Sequence, residues 1–378
     1  MADGGLFAGG AADHATRSDA ILAGIGGQTN ALKPLVGTID KDGLYPEAIL
    51  KSLGQAGAFG LHLARHSRLG RKDLGQAVNA MALVSATCMS TGFCIWCQDT
   101  LGWYLENTEN AALRERLQGR IASGDILGGT GLSNPMKSLA NIEQFKLRGR
   151  RVAGGYEVSG ILPWVSNLGQ GHWFGTMFLD GDDSTHRIMA MVQVGQPGVE
   201  IKQNAHFIAL EGTGTYAVLF KKAFISQDNI LADPLDDMPA RIKPGFLLLQ
   251  SGMGLGVTQA CIDLMREADM IYGHTNAYLP KRADDFATEL AEIRARIARL
   301  AATPHERDSA YMREIFQARL DVSEISLAAS QAALLHTGAR GYVMGSAVDR
   351  RLREAYFVAI ITPSIRHLRQ ELATLGRH

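Results

Sequence analysis

The sequence predicts an α+β chain, mostly α, in the order helical, β, helical. Two observations carry this. Apolar residues recur at three- and four-residue spacing over residues 18–124, whereas residues 125–233 hold short apolar runs between turn residues. Helical recurrence returns from about Gly245, which places a third unit over residues 234–378. Turn residues concentrate in the middle unit, at Asp180-Gly181-Asp182-Asp183 and Gly212-Thr213-Gly214, and argue for a small β-barrel or sandwich.

Composition narrows the function classes. The 378 residues have room for two or three units around shared cores. Thirty-eight Lys+Arg balance 38 Asp+Glu, so the net charge is zero and nothing steers the chain toward nucleic acid or an anionic membrane. No apolar run approaches the ~20 residues of a transmembrane helix. Residues 1–17 lack the basic start and apolar block of a signal peptide and read as a flexible leader. Cys88, Cys94, Cys97 and Cys261 are too few for a disulfide framework, and Cys94 and Cys97 lie inside a long, mostly apolar stretch. Buried, reduced thiols, no metal and a cytoplasmic location are the expectation.

In the first unit, Pro46 sits in the first turn of a helix whose apolar face is Ile49, Leu50, Leu53, Ala56 and Phe59. In the middle unit, Val152, Tyr156 and Val158 flank Gly154 and Gly155 as a hairpin, Ile188–Val194 is an apolar strand, and Val218, Phe220 and Phe224 mark another. In the third, Gly252, Gly254 and Gly256 fall within a helical pattern with no strand leading in. They signal close helix packing rather than a dinucleotide fingerprint. Residues 283–302 and 308–335 give two more long helices.

The stretch from Gly128 to Asn167 organises the rest. A Gly-rich turn leads into Leu132-Ser133-Asn134-Pro135, and about thirty residues later the chain reads Leu162-Pro163-Trp164-Val165-Ser166-Asn167. This pair resembles the T-E-P turn and W-I-[ST]-N strand of the acyl-CoA dehydrogenase superfamily. Further likenesses are PEAILKSLGQAGAFGLHL, Ser90-Thr91-Gly92, the Phe220–Leu231 segment, and the tail HTGARGYVMGSAVDRRLREAYF. The resemblance implies an N-terminal helical bundle, a middle β-barrel and a C-terminal four-helix bundle. It also implies FAD, with FMN as the other flavin, between barrel and C-terminal bundle.

The residues that the resemblance assigns to the cofactor are Leu132, Ser133, Trp164, Val165, Ser166 and Ser364. Gly338, Ala339, Arg340 and Gly341 are assigned to the dinucleotide of a neighbouring subunit in a homodimer or homotetramer. Trp96, Gln98 and Trp103 are candidate pocket walls, with helix packing as the other reading.

The pattern breaks at the catalytic base. The family's Glu removes the α-proton of a thioester; here Thr362, followed by Pro363, occupies that place, and the alternative position falls at Phe246 or Leu247. Glu354 reads as the partner of Arg350 or Arg351. Glu211 stands where the family often has Arg, and Tyr272–Pro280 replaces the family's R-x-Q-F-G-K.

Relatives without the Glu include flavin-dependent monooxygenases. The first reading is therefore an oxygenase using reduced flavin and O2 on a small aromatic or CoA-thioester substrate. Gln98, Asn134 and Thr362 would face that substrate, with His172, His206 and His336 as further candidates. A separate flavin reductase or electron-transfer partner would supply electrons. The alternatives are an FAD-dependent acyl-CoA dehydrogenase with a relocated base, and a non-catalytic flavin- or acyl-binding protein.

Overall fold

The computed structural model of the chain describes residues 6–376 except Asp182 and Ser184, and it describes side chains from residue 13 onward. The first unit holds α1 (Leu6–Leu32), α2 (Val36–Lys41), α3 (Glu47–Gln55), α4 (Leu74–Thr87), α5 (Met89–Asn107) and α6 (Ala111–Ala122). Helix α1 corrects the expected leader: residues 6–17 are the first turns of a 27-residue helix, and residues 1–5 lie outside the description. The sequence hid it because five glycines and several alanines blur its periodicity.

The α3 face of Ile49, Leu50 and Leu53 is buried as its spacing requires, with Pro46 at the N-cap. Asp73 caps α4 by accepting from the Gln76 N–H at 3.0 Å. Helix α5 is buried nearly all round, so it is the centre of its layer rather than an amphipathic surface helix.

One sheet follows: β1 (Gly128–Thr130), β2 (Leu147–Val152), β3 (Gly155–Val165), β4 (Trp173–Asp180), β5 (Arg187–Gln193), β6 (Val199–Lys202), β7 (Tyr216–Ser226) and β8 (Ile230–Ala232). A short helix, α7 (Ser133–Leu139), separates β1 from β2. The strand order is β6-β7-β3-β2-β4-β5-β8, with β1 against β4. Strands β2 and β3 form the expected hairpin, with Val152 opposite Gly155.

Tyr156, Val158, Phe174, Phe178, Val192, Val218 and Phe220 share one core, so the sheet curls around its own apolar face. Its edges β6 and β8 have no ladder to each other among the described residues, which leaves the barrel open.

The C-terminal unit is α8 (Met238–Asn276), α9 (Ala283–Ala301), α10 (Ser309–Thr337), α11 (Ala347–Ile360) and α12 (Ile365–Leu375). Helix α8 starts ahead of Gly245 and carries Pro244 inside. It is long and apolar enough to cross a membrane, yet 94% of its most apolar window is buried against its neighbours.

The glycines of α8 do pack closely. A Cβ at Gly254 would lie 2.3 Å from Val322 Cγ1, and one at Gly256 2.4 Å from the Ala82 carbonyl oxygen. Buried Glu354 pairs with Arg350 at 2.9 Å and Arg351 at 2.6 Å, as expected. Arg351 also donates to the Ser85 and Thr87 carbonyls, which ties α11 to the open end of α4. All four cysteines are free and buried.

Candidate active site

Three chain segments meet at the candidate site: the first turn of α7, the end of β3, and the turn between α11 and α12. Ser133 begins α7, so the Leu-Ser-Asn-Pro segment opens a helix. Its hydroxyl lies 3.2 Å from that of Thr362, which comes just after α11.

The Thr362 carbonyl accepts from Gln250 Nε2 on α8 at 3.0 Å. Gln250 Oε1 in turn accepts from Arg319 Nε on α10 at 2.6 Å. Arg319 donates also to the Ser323 hydroxyl and, at 2.8 Å, to the Val358 carbonyl in the last turn of α11. Gln250 is 0% and Arg319 1% exposed. Burial pulls the guanidinium down to about 9, so it remains a cation at neutral pH.

Trp164, at the end of β3, flanks a cleft of about 80 Å³ that Ser133, Leu162 and Pro163 also line. The two motifs paired in the sequence therefore share one cleft. Trp164 is 42% exposed and meets Phe207 edge-on at 5.4 Å. Val165 and Leu132 are buried; the Ser166 hydroxyl lies 2.6 Å from that of Thr215. Ser364 is the N-cap of α12 and makes no side-chain cap bond, which leaves its hydroxyl unused by the helix.

One turn from Gln250 on α8, and shortly before Thr362 on α11, lies an aromatic cluster. Phe93 stacks on Trp96 at 5.6 Å and meets Phe357 edge-on at 4.8 Å; Trp96 meets Phe246 at 5.0 Å. A larger cavity of about 390 Å³ opens between α7, α8, α10 and α12, with Met136, Met312, Phe316, Lys243, His367 and Glu371 in its wall.

Several expected residues are not brought here. Gln98 is fully buried and spends its amide on the Ile121 and Ile126 carbonyls and the Gly128 N–H. It is a staple between α5, α6 and β1, not a substrate contact. Asn134 does line the cleft beside Ser133, but its amide is bound to Gln144, Glu143 and the Lys146 N–H, which closes the turn after α7. Trp103 packs in the core and donates to the Ile242 carbonyl at 3.0 Å.

The three histidines are occupied elsewhere. His172 faces the Asn167 carbonyl, His206 sits beside Glu211, and His336 is held by Asp269 at 2.9 Å. Glu211 accepts from the Phe207 N–H, closing its own loop. Gly338, Ala339 and Arg340 are exposed, Gly341 is buried, and the Arg340 guanidinium lies 5.9 Å from the centre of the Tyr272 ring.

Gln250 and Arg319 were missed in the sequence. The available signal was a lone cation, Arg319, on the face of Ile315, Phe316 and Leu320, which is otherwise apolar.

Residues 28–125 match the acyl-CoA dehydrogenase N-terminal domain. The benzylmalonyl-CoA dehydrogenase of Aromatoleum aromaticum is 22% identical over 344 residues, 87% of this chain and 89% of that one. The solved butyryl-CoA dehydrogenase of Megasphaera elsdenii superposes with a TM-score of 0.85 at 15% identity, covering 96% of this chain and 98% of its own.

This chain has the acyl-CoA dehydrogenase fold. The resemblance read from the sequence holds. The same fold includes the dibenzothiophene monooxygenase TdsC of Paenibacillus, with a TM-score of 0.81 at 14% identity over 95% of this chain and 97% of that one; it has also been solved bound to FMN.

Two observations fit a flat ring with a polar edge. The Ser133 and Thr362 hydroxyls face each other beside the cleft, and Trp164, flanking that cleft, keeps an exposed aromatic surface.

Proposed function

We propose that this chain is a flavin-dependent oxidoreductase working as an oxygenase on a small substrate with an aromatic body. One observation carries the reading. At the position of the thioester-deprotonating Glu stands Thr362, whose hydrogen bonds among the described residues run to Ser133 and Gln250, with no carboxylate among them. Phe246 and Leu247, at the alternative position, are buried and apolar. The dehydrogenase reading therefore lacks its proton acceptor.

Ser133, Trp164, Ser166 and Ser364 would hold the ring, and Gly338–Gly341 of a neighbouring subunit its dinucleotide tail. A bound flavin would supply the electrons for oxygen activation. The chain's own part is positional. Ser133 and Thr362 present hydroxyls that can donate to an oxygen beside them, and the Phe93–Trp96–Phe246–Phe357 cluster excludes water from that side.

Those four packed rings also favour a short aromatic substrate over a long acyl chain. We infer FAD or FMN supplied in reduced form by a separate reductase or electron-transfer partner, and a cytoplasmic homodimer or homotetramer.

The test is anaerobic mixing with butyryl-CoA. Flavin in the wild-type protein should stay oxidised, since general-base help typically contributes ~10²–10⁴-fold. Thr362→Glu should restore slow bleaching. Rapid bleaching of the wild type would put the dehydrogenase first.

A further inference from the structure

We propose that Arg319 is a positioning residue which, through Gln250, makes the Thr362 site select an anionic substrate, an aromatic carboxylate or phenolate. The inference rests on the flavin-oxidoreductase reading above and deepens it by naming the charge of the substrate.

Arg319 is 1% exposed and forms no ion pair among the described residues. Its partners are neutral: the Gln250 amide oxygen, the Ser323 hydroxyl and the Val358 carbonyl. Elsewhere in this fold buried guanidinium groups have a carboxylate partner, as Arg350 and Arg351 share Glu354. A desolvated cation without a counter-ion is costly, and such a charge is kept where something negative completes it.

The chain of bonds shows where that charge is felt. Because Arg319 Nε donates to Gln250 Oε1, the amide's orientation is fixed and its Nε2 must face the Thr362 carbonyl, at 3.0 Å. The guanidinium also holds the Val358 carbonyl in the last turn of α11, immediately before the Thr362 turn. Positive charge thus backs the group that replaces the family's Glu, and its field in a weakly screened interior favours a negative ligand by about tenfold or more.

A purely structural role, capping the end of α11, would need a donor there but no charge.

The experiment compares benzoate with its neutral isostere benzamide, by calorimetric titration of the flavin-loaded protein. Wild type should bind benzoate at least tenfold more tightly. Arg319→Gln keeps donors but removes the charge. Gln250→Glu places a carboxylate against the guanidinium and cancels its charge, at the loss of one donor to the Thr362 carbonyl, and serves if Arg319→Gln does not fold.

In both variants the benzoate-to-benzamide ratio should fall to about one, and the midpoint potential of the bound flavin should drop, because a cation that favoured the anionic reduced form is gone. A wild type without preference for benzoate, or a folded variant that keeps the ratio, overturns the proposal. Flavin content, read from absorbance, tests the underlying reading separately: protein that holds flavin but ignores the charge of the ligand fails only here.

Discussion

At the scale of single residues, the most consequential features are polar groups buried for different reasons. Glu354 is surrounded by cations and has a clear structural task. Asp99 is the opposite case. Fully buried in α5, it has no hydrogen bond to either carboxylate oxygen, and burial holds its carboxyl well above the usual range. His62 Nδ1 lies 3.9 Å away, and burial pushes that imidazole down to about 4.

The two act oppositely on stability. The folded state keeps the Asp99 proton that the unfolded chain loses above its ordinary value near ~4, so this group's contribution falls as pH rises. The unfolded chain protonates His62 below ~6.5 while the folded state does so only near 4, so that contribution rises with pH across the same window. Asp99→Asn should leave only the rising part. Its thermal midpoint should climb from pH 4 to 6.5 more steeply than that of the wild type, and scanning calorimetry at several pH values checks this. Parallel curves would mean that Asp99 is solvated or paired in solution.

At the scale of elements, α8 is the axis on which the site is mounted. It carries Phe246 of the aromatic cluster and Gln250 of the hydrogen-bond chain, and it packs against α4, α5 and α10. Its fit against α4 depends on the absence of a side chain at Gly256, where a Cβ would meet the Ala82 carbonyl oxygen at 2.4 Å and Ser85 Cβ at 2.5 Å. Backbone cannot move aside as a flexible side chain can. Gly256→Ala should therefore cost about 1–3 kcal/mol through overpacking, read as a lower urea midpoint. A midpoint equal to that of the wild type would show that the α4–α8 contact is looser than these distances state.

At the scale of the whole molecule, the C-terminal unit leaves large apolar side chains uncovered. Met270, Ile271 and Tyr278 lie at the end of α8 and just beyond it, and Tyr342, Val343 and Met344 follow the Gly338–Gly341 turn. They flank Arg340, which rests over the Tyr272 ring. This fits an assembly in which the turn reaches a neighbour's dinucleotide. Arg340→Ala should then weaken FAD binding by about tenfold, the worth of one charge-assisted phosphate contact, while FMN, lacking the second phosphate and the adenosine, should lose less. Equilibrium dialysis with each flavin measures both. Equal affinities for FAD in variant and wild type would remove the cross-subunit site.

The sequence by itself determined what depends on neighbours along the chain. The periods of apolar residues gave the helical, β, helical order, and the alternation around Tyr156 and Val158 set the face of the sheet. The Ser133 and Trp164 motifs were legible as a pair through the family resemblance, and the fold sets both on one cleft. The same local rules failed where periodicity was blurred, at the glycine- and alanine-rich start of α1.

What only the tertiary structure decided is the destination of each polar side chain. Gln98 and Thr362 are both polar residues in apolar surroundings, and nothing local separates them. One is consumed by three backbone groups and the other is aimed at Ser133. Arg319 and Thr362 are 43 residues apart in the chain and are joined through Gln250, a residue of a third helix. A buried polar group must find its partner wherever packing puts one, and packing is a property of the assembled helices, not of the chain read in order.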